Sequence, residues 1–415
     1  MTRPSARDVE QVAVFRNAER VGTLERTAHG SRFEYDADFF ERHRALPGGI
    51  ARHLPYARRT TETHGINLHP YFAGLLPEGL RLRAMVARLK TSEDDLFSLL
   101  VAAGSDCVGD LFVVRAGEQP ALDDEALVVS DKASFAELWQ KTLEADTHPL
   151  VSGVQEKLSP SLMTLPVRAR GRRWLLKLSP PDTPELVDNE FFFMQLAAKC
   201  LKSVARVERV VDRTGVAGLL VARFDRVRDS TGRWVGVHQE DACQLLNRYP
   251  ADKYRLSTKE LFEALEVCDA PVVARLRLLE LLAFSYLIGN GDLHGKNVSV
   301  GAQGGVTQLT PAYDLLTTRP YGDKRLALPV EGRDDNLKRH HLVALSERFG
   351  VAEAAVAPRL DTLCSHVEAA VPMLSTIGLD TARTKTLSDL LLKRVADLRA
   401  PHPGVSPRGR ARSRA

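Results

Sequence analysis

Cysteine is sparse in this chain and nowhere paired. Its five cysteines in 415 residues, Cys107, Cys200, Cys243, Cys268 and Cys364, are scattered singly, with no C-x-x-C among them. That spacing speaks against a zinc site and against a disulfide framework, and fits reduced, mostly buried thiols in a cytoplasm. Long apolar runs are missing too. The most apolar stretch, residues 278–288, contains Glu280 and falls short of the ~20 residues a bilayer requires, so it reads as a buried core helix. The first eight residues have no apolar run behind them and do not read as a signal peptide. Charge of one sign is not in large excess: 57 Lys+Arg against 53 Asp+Glu give +4, too little to mark a nucleic-acid binder. Part of the basic excess sits in the tail at Arg408, Arg410, Arg412 and Arg414, which reads as a solvated, disordered end. No internal repeat and no low-complexity segment precedes that tail.

What is present is an ordinary globular composition, 44% hydrophobic and 27% charged, with length for two or three domains. Short strands are predicted at 11–15 and 21–24 around a turn at 17–19, with a third at 33–35. Helices follow at 77–89, with Pro77 in the first turn, and from Ser92 as N-cap through Leu100 to Gly104. A strand is expected at 107–114. The polar, acidic, proline-containing stretch 118–125 reads as a linker, and a helix near 135–145 leads into a second unit. That unit has strands early, at 173–178 and 216–224, and helices late: 258–268, 271–288, 340–348, 351–374 and 379–398. The order is that of an α+β, two-lobed kinase, a sheet-rich lobe to about residue 250 and a helical lobe after it. The division expected is 1–125, 126–399 and a tail at 400–415.

The densest polar set is Gly291-Asp292-Leu293-His294-Gly295-Lys296-Asn297, directly after the apolar helix. An Asp five residues before an Asn is the spacing of protein-kinase catalytic loops, where the Asp takes the proton of the attacking hydroxyl and the Asn holds magnesium on ATP. Asp292 is the candidate base and Asn297 a candidate metal ligand, with His294, Gly295 and Lys296 placed to meet phosphate. Lys177 lies in an apolar strand, where a lysine is costly without an anion to meet, so it is a candidate for the α/β-phosphates. Glu190, on the following helix, is either its partner or an exposed helix charge. Ser152, Gly153, Val154, Gln155, Glu156 and Lys157 form a candidate phosphate loop, though one glycine makes a weak motif. Asp314, one strand beyond the catalytic loop, is placed as a second metal ligand.

Taken together, V-S-G-V-Q-E-K (151–157), W-L-L-K-L (174–178), N-E-F-F-F (189–193), A-R-F-D-R (222–226), H-Q-E-D-A-C-Q (238–244), G-N-G-D-L-H-G-K-N (289–297) and P-A-Y-D-L-L (311–316) resemble the HipA family of serine/threonine kinase toxins. V-G-T-L (21–24), F-A-G-L-L-P-E-G (72–79) and S-D-C-V-G-D-L (105–111) resemble that family's N-terminal subdomain. The resemblance implies a protein-kinase-like fold related to lipid kinases, ATP and Mg²⁺, and a protein substrate, typically an aminoacyl-tRNA synthetase whose phosphorylation arrests translation and growth. It also implies a helix-turn-helix antitoxin as partner, often with operator DNA in the same complex. Carried over, residues 152–157 are the phosphate loop, Lys177 the phosphate lysine, and Ala222, Arg223 and Phe224 the hinge beside adenine. Asp292 is the base, His294 to Asn297 contact nucleotide and metal, and Tyr313 and Asp314 complete the metal site. Leu150 departs from the pattern, since well-known members carry an autophosphorylated serine there. Some relatives place one next to the loop glycine, which makes Ser152 the candidate here. The catalytic loop also resembles that of aminoglycoside and choline phosphotransferases, and an inactive kinase fold serving as a corepressor is a further alternative.

Overall fold

The computed structural model describes residues 5–65, 68–120, 127–129, 134–138 and 163–400. The candidate phosphate loop at 152–157, most of the expected linker, the rest of the helix near 135–145 and the basic tail lie outside the described residues.

The first 115 residues build an antiparallel five-stranded sheet in the order Thr60–His64, Gly30–Tyr35, Glu19–Thr27, Gln11–Arg16, Leu111–Arg115. Alternation along the strands, broken by a bulge that leaves Val21 without a partner in the pairing of the first two, sends Val12, Val14, Val21, Leu24, Phe33 and Tyr35 into a core shared with Phe39, Phe72, Leu99 and Leu100. The expected turn is present, with Asn17 in a left-handed conformation at φ 52°. Two helix starts differ from expectation. Asp95, not Ser92, caps Leu96–Ala103, because its carboxylate accepts from Ser98 N at 3.3 Å while Ser92 Oγ closes a turn onto Asp94 N. Pro77 stands outside the preceding helix, Gly79–Leu89, which has Glu78 as its cap residue.

A second antiparallel sheet runs Val207–Val211, Ala217–Ala222, Arg172–Leu178, Met163–Ala169, with Leu127–Val128 parallel at its edge. Leu186–Cys200 packs behind it and carries Val187, Phe193 and Met194 into a large helical core. Pro271–Ile288 runs through that core, and from Leu278 onward every residue of it is buried, Glu280 being the one charge among them. Arg339–Arg348, Glu353–Ala370 and Thr381–Arg399 complete this part.

Polar side chains join the two parts. Asn17 exchanges hydrogen bonds with the backbone of Gly236, Arg52 N donates to Glu240 Oε1 at 2.9 Å, and Arg223 reaches Asp106 at 2.6 Å. Asp225, beneath Arg223 and Arg226, is buried. Burial opposes its ionisation, but the two guanidinium groups outweigh it and hold the carboxyl well below the usual range. His238 sits between Asp110 at 3.3 Å and Glu240 at 3.2 Å. Burial works against its charge, yet the hydrogen bonds to the two carboxylates prevail and raise its pKa to about 9. A raised base stabilises the fold in full below its unfolded pKa of ~6.5, and the stabilisation is lost as pH climbs through the folded value. The unfolding free energy from denaturant titration is therefore expected to fall between pH 6.5 and 9.5 by more in the wild type than in His238→Gln, a difference on the order of 2 kcal/mol. Equal slopes would show that His238 carries no linked proton.

Candidate active site

The candidate catalytic loop is held by the end of the buried helix. Asn290 N returns to Ser285 O at 2.9 Å and Gly289 N to Tyr286 O at 3.1 Å, with Gly289 at φ 74°. This is the closure that lets a helix stop within one residue. Gly291 N donates to Thr318 Oγ1 at 2.8 Å, and a Cβ at Gly291 would lie 2.6 Å from Arg325 O, so no side chain fits there. Asp292 N donates to Asn290 Oδ1 at 2.9 Å, an Asx turn that aims the carboxylate outward. The short 3-10 turn Gly295–Asn297 follows, and the hairpin Ser299–Gln303 with Val306–Leu309 carries the chain to Asp314.

Four sequence-predicted residues converge. Lys177 Nζ donates to Glu190 Oε1 at 2.7 Å and also bonds Asp314 Oδ1. The other Asp314 oxygen accepts from Asn297 Nδ2 at 3.2 Å. The Lys177–Glu190 contact resolves the two readings of Glu190 in favour of the pair. Burial opposes the Lys177 charge, but Asp314 and Glu190 more than offset it and keep the ammonium charged. Burial pushes the Glu190 carboxyl up, against the attraction of Lys177. Asp314 takes a left-handed backbone at φ 55°, uncommon for a residue other than glycine and often found where function fixes geometry. Tyr313 OH donates to Lys296 O at 2.7 Å and meets Ser299 Oγ at 2.7 Å, tying this segment to the Asp292–Asn297 loop. Its ring centroid lies 5.8 Å from that of Phe224, so the end of the segment 222–224 borders the site.

Asp292 lies half-buried, with its carboxyl raised first by desolvation. His294 is buried and its imidazole is lowered to about 4, chiefly by burial, so it is neutral at pH 7. Two predicted residues turn their side chains elsewhere. The Arg223 guanidinium is buried on Asp106 and Asp225. Lys296 Nζ donates to Gly74 O at 3.0 Å and lies 3.6 Å from Glu78 and 3.7 Å from Asp241. Sequence reasoning about chemistry missed Glu78, Asp241, Lys253 and Tyr254. The first two lie in stretches that the family resemblance had picked out, while no local signal marks Lys253 or Tyr254.

Among the described residues, no group of three or more His, Cys, Asp or Glu is placed to hold a metal by itself. Asp314 and Asn297 nonetheless fit magnesium on a nucleotide, which takes one or two carboxylates plus phosphate oxygens. For Asn297 to act as a ligand its amide would have to turn its oxygen to the metal, since that oxygen now accepts from His294 N at 3.2 Å while the amide nitrogen donates to Asp314.

A sheet-rich part bearing a buried Lys–Glu pair, set against a helical part bearing the Asp-to-Asn loop, defines a protein-kinase-like fold. The chain belongs to the HipA family: residues 150–371 match the HipA-like C-terminal domain and residues 12–114 the HipA N-terminal domain. It is 30% identical to the Sinorhizobium fredii protein named "Putative kinase Y4mE", over 89% of this chain and 94% of the other. It is 26% identical to the serine/threonine-protein kinase toxin HipA of Shewanella oneidensis, over 72% and 76% of the two chains. The fold superposes on Shewanella oneidensis HipA, solved with HipB and its operator DNA, with a TM-score of 0.74 at 22% identity, covering 93% of this chain and 97% of that one. No helix among the described residues is long and apolar enough to cross a membrane.

Proposed function

We propose that the protein is an ATP-dependent serine/threonine-protein kinase of the HipA toxin type. The observation that carries the reading is the convergence of Lys177, Glu190, Asn297 and Asp314 beside the Asp292 loop. In this reading Asp292 accepts the proton of the acceptor hydroxyl and Lys177 holds the non-reacting phosphates. Asp314 and Asn297 hold Mg²⁺, which when bound neutralises charge on the phosphate oxygens. The backbone of Ala222 to Phe224 borders adenine, and Ser152 to Lys157 cover the phosphates. Ser152 is the autophosphorylation candidate, where about −1.5 to −2 of added charge beside ATP would expel the loop. The division into an N-terminal unit over 1–125 and a kinase unit over 126–399 belongs to the same proposal.

The substrate proposed is a protein, an aminoacyl-tRNA synthetase being the one the family resemblance implies. The partner proposed is a helix-turn-helix antitoxin, with operator DNA reached through it. The Shewanella relative's name supports a protein as substrate, and the HipB–operator DNA complex of the solved structure supports the antitoxin partner. Incubation with γ-labelled ATP, Mg²⁺ and a cell lysate is the test. Labelled protein bands that vanish with Asp292→Ala are expected. A labelled small molecule would point instead to an aminoglycoside- or choline-type phosphotransferase, and no label to an inactive corepressor. Phosphopeptide mapping of the same sample reads Ser152, and an unmodified Ser152 removes the autoregulation proposal.

A further inference from the structure

The Asp292 carboxylate already carries a hydroxyl. Tyr254 O–H donates to Asp292 Oδ1 at 2.6 Å, the contact that an acceptor hydroxyl must make with a general base. Tyr254 is nonetheless 50% exposed, so it can swing into solvent without opening the core. Two side chains contact its ring. The Lys253 ammonium lies 5.3 Å from the ring centroid, and the His294 ring meets it edge-on at 5.1 Å. Lys253 is fastened in turn to Glu78 of the N-terminal part at 3.0 Å, and its carbonyl accepts from Gly295 N at 3.0 Å.

We propose that Tyr254 is the resting occupant of the acceptor-hydroxyl subsite on Asp292, a place taken in turnover by a hydroxyl borne on a polypeptide side chain. This rests on Asp292 being the base. The acceptor displaces the phenol and inherits its hydrogen bond. Until then the phenol keeps water off Asp292, which restrains ATP hydrolysis when no acceptor is present. None of the ring contacts uses the hydroxyl, so Tyr254→Phe leaves the ring in place and frees room for a water on the base. In the resulting hydrolysis the water oxygen bonds to the γ-phosphorus and the bond to the ADP oxygen breaks. The water proton passes to Asp292, and ADP and phosphate leave.

The experiment is steady-state ADP release from Mg-ATP by the full chain with no acceptor added, for wild type, Tyr254→Phe, Tyr254→Leu and Asp292→Asn. Tyr254→Phe is expected to raise kcat on the order of tenfold with KM for ATP little moved, and Tyr254→Leu to raise it at least as much. Rates equal to or below wild type in both Tyr254 variants, with Asp292→Asn silent, would overturn the subsite assignment and leave the base reading standing. Undiminished turnover in Asp292→Asn would overturn the base reading, and this inference with it.

Discussion

Asp292→Ala is expected to lower phosphoryl transfer by a factor on the order of 10²–10⁴. Nucleotide affinity is expected to stay within about twofold, because a base acts on the acceptor in the transition state and binds little of the ground-state nucleotide. The local structure supports a clean substitution. The backbone turn is held by Asn290 Oδ1 on Asp292 N and by His294 N on Asp292 O, and neither bond uses the carboxylate. Any growth arrest on expression should vanish with the activity. The pH profile adds a second check. Burial raises the Asp292 carboxyl, so the acid limb of kcat/KM should lie above the ordinary carboxylate range, activity being lost as pH falls through the raised value. Label transfer by Asp292→Ala at near wild-type rate would remove Asp292 from the role of base, and a limb in the ordinary range would show that its carboxyl is not raised.

Lys177→Ala is expected to combine two losses. One is the cation on the phosphates. The other is stability, because Glu190 is 1% exposed and would be left as a buried charge with no ammonium against it. Removing one member of a buried pair costs about 3–5 kcal/mol, more than the net value of the pair itself. Two measurements separate the effects. In chemical denaturation, Lys177→Met combined with Glu190→Leu should regain much of the stability lost by Lys177→Ala, since the fully buried carboxylate is gone and Asp314, which also loses Lys177, is 37% exposed and can meet water. In nucleotide titration the double variant should stay as weak as the single one, since nothing has replaced the cation. Recovery of binding together with stability would mean that Lys177 serves only the fold.

Much of the architecture followed from local pattern. Strand alternation placed 11–15 and 21–24, and the apolar block from Pro271 to Ile288 is a helix with those bounds. Helix ends were less legible. Ser92 and Asp95 are both competent caps, and only the carboxylate reach to Ser98 N, with Arg26 and Thr91 on the same group, selects Asp95. Among the site residues, Lys177 in an apolar strand announces a buried partner, but Glu190 becomes that partner only when the helix docks behind the strand.

By itself, the sequence determined the spacing of Asp292 and Asn297, the buried helix before them and the order of strands and helices. These depend on contacts within a few residues, where side-chain period and turn chemistry act directly. Tertiary structure alone decided where the long cations point. Lys296 turns to Gly74 and Glu78, more than 200 residues earlier, Arg223 turns to Asp106, and Tyr254 comes to rest on Asp292. A flexible charged or phenolic side chain goes where burial leaves it an oppositely charged or hydrogen-bonding partner. Which partner that is depends on how the N-terminal part and the catalytic loop pack together, and no local pattern encodes it.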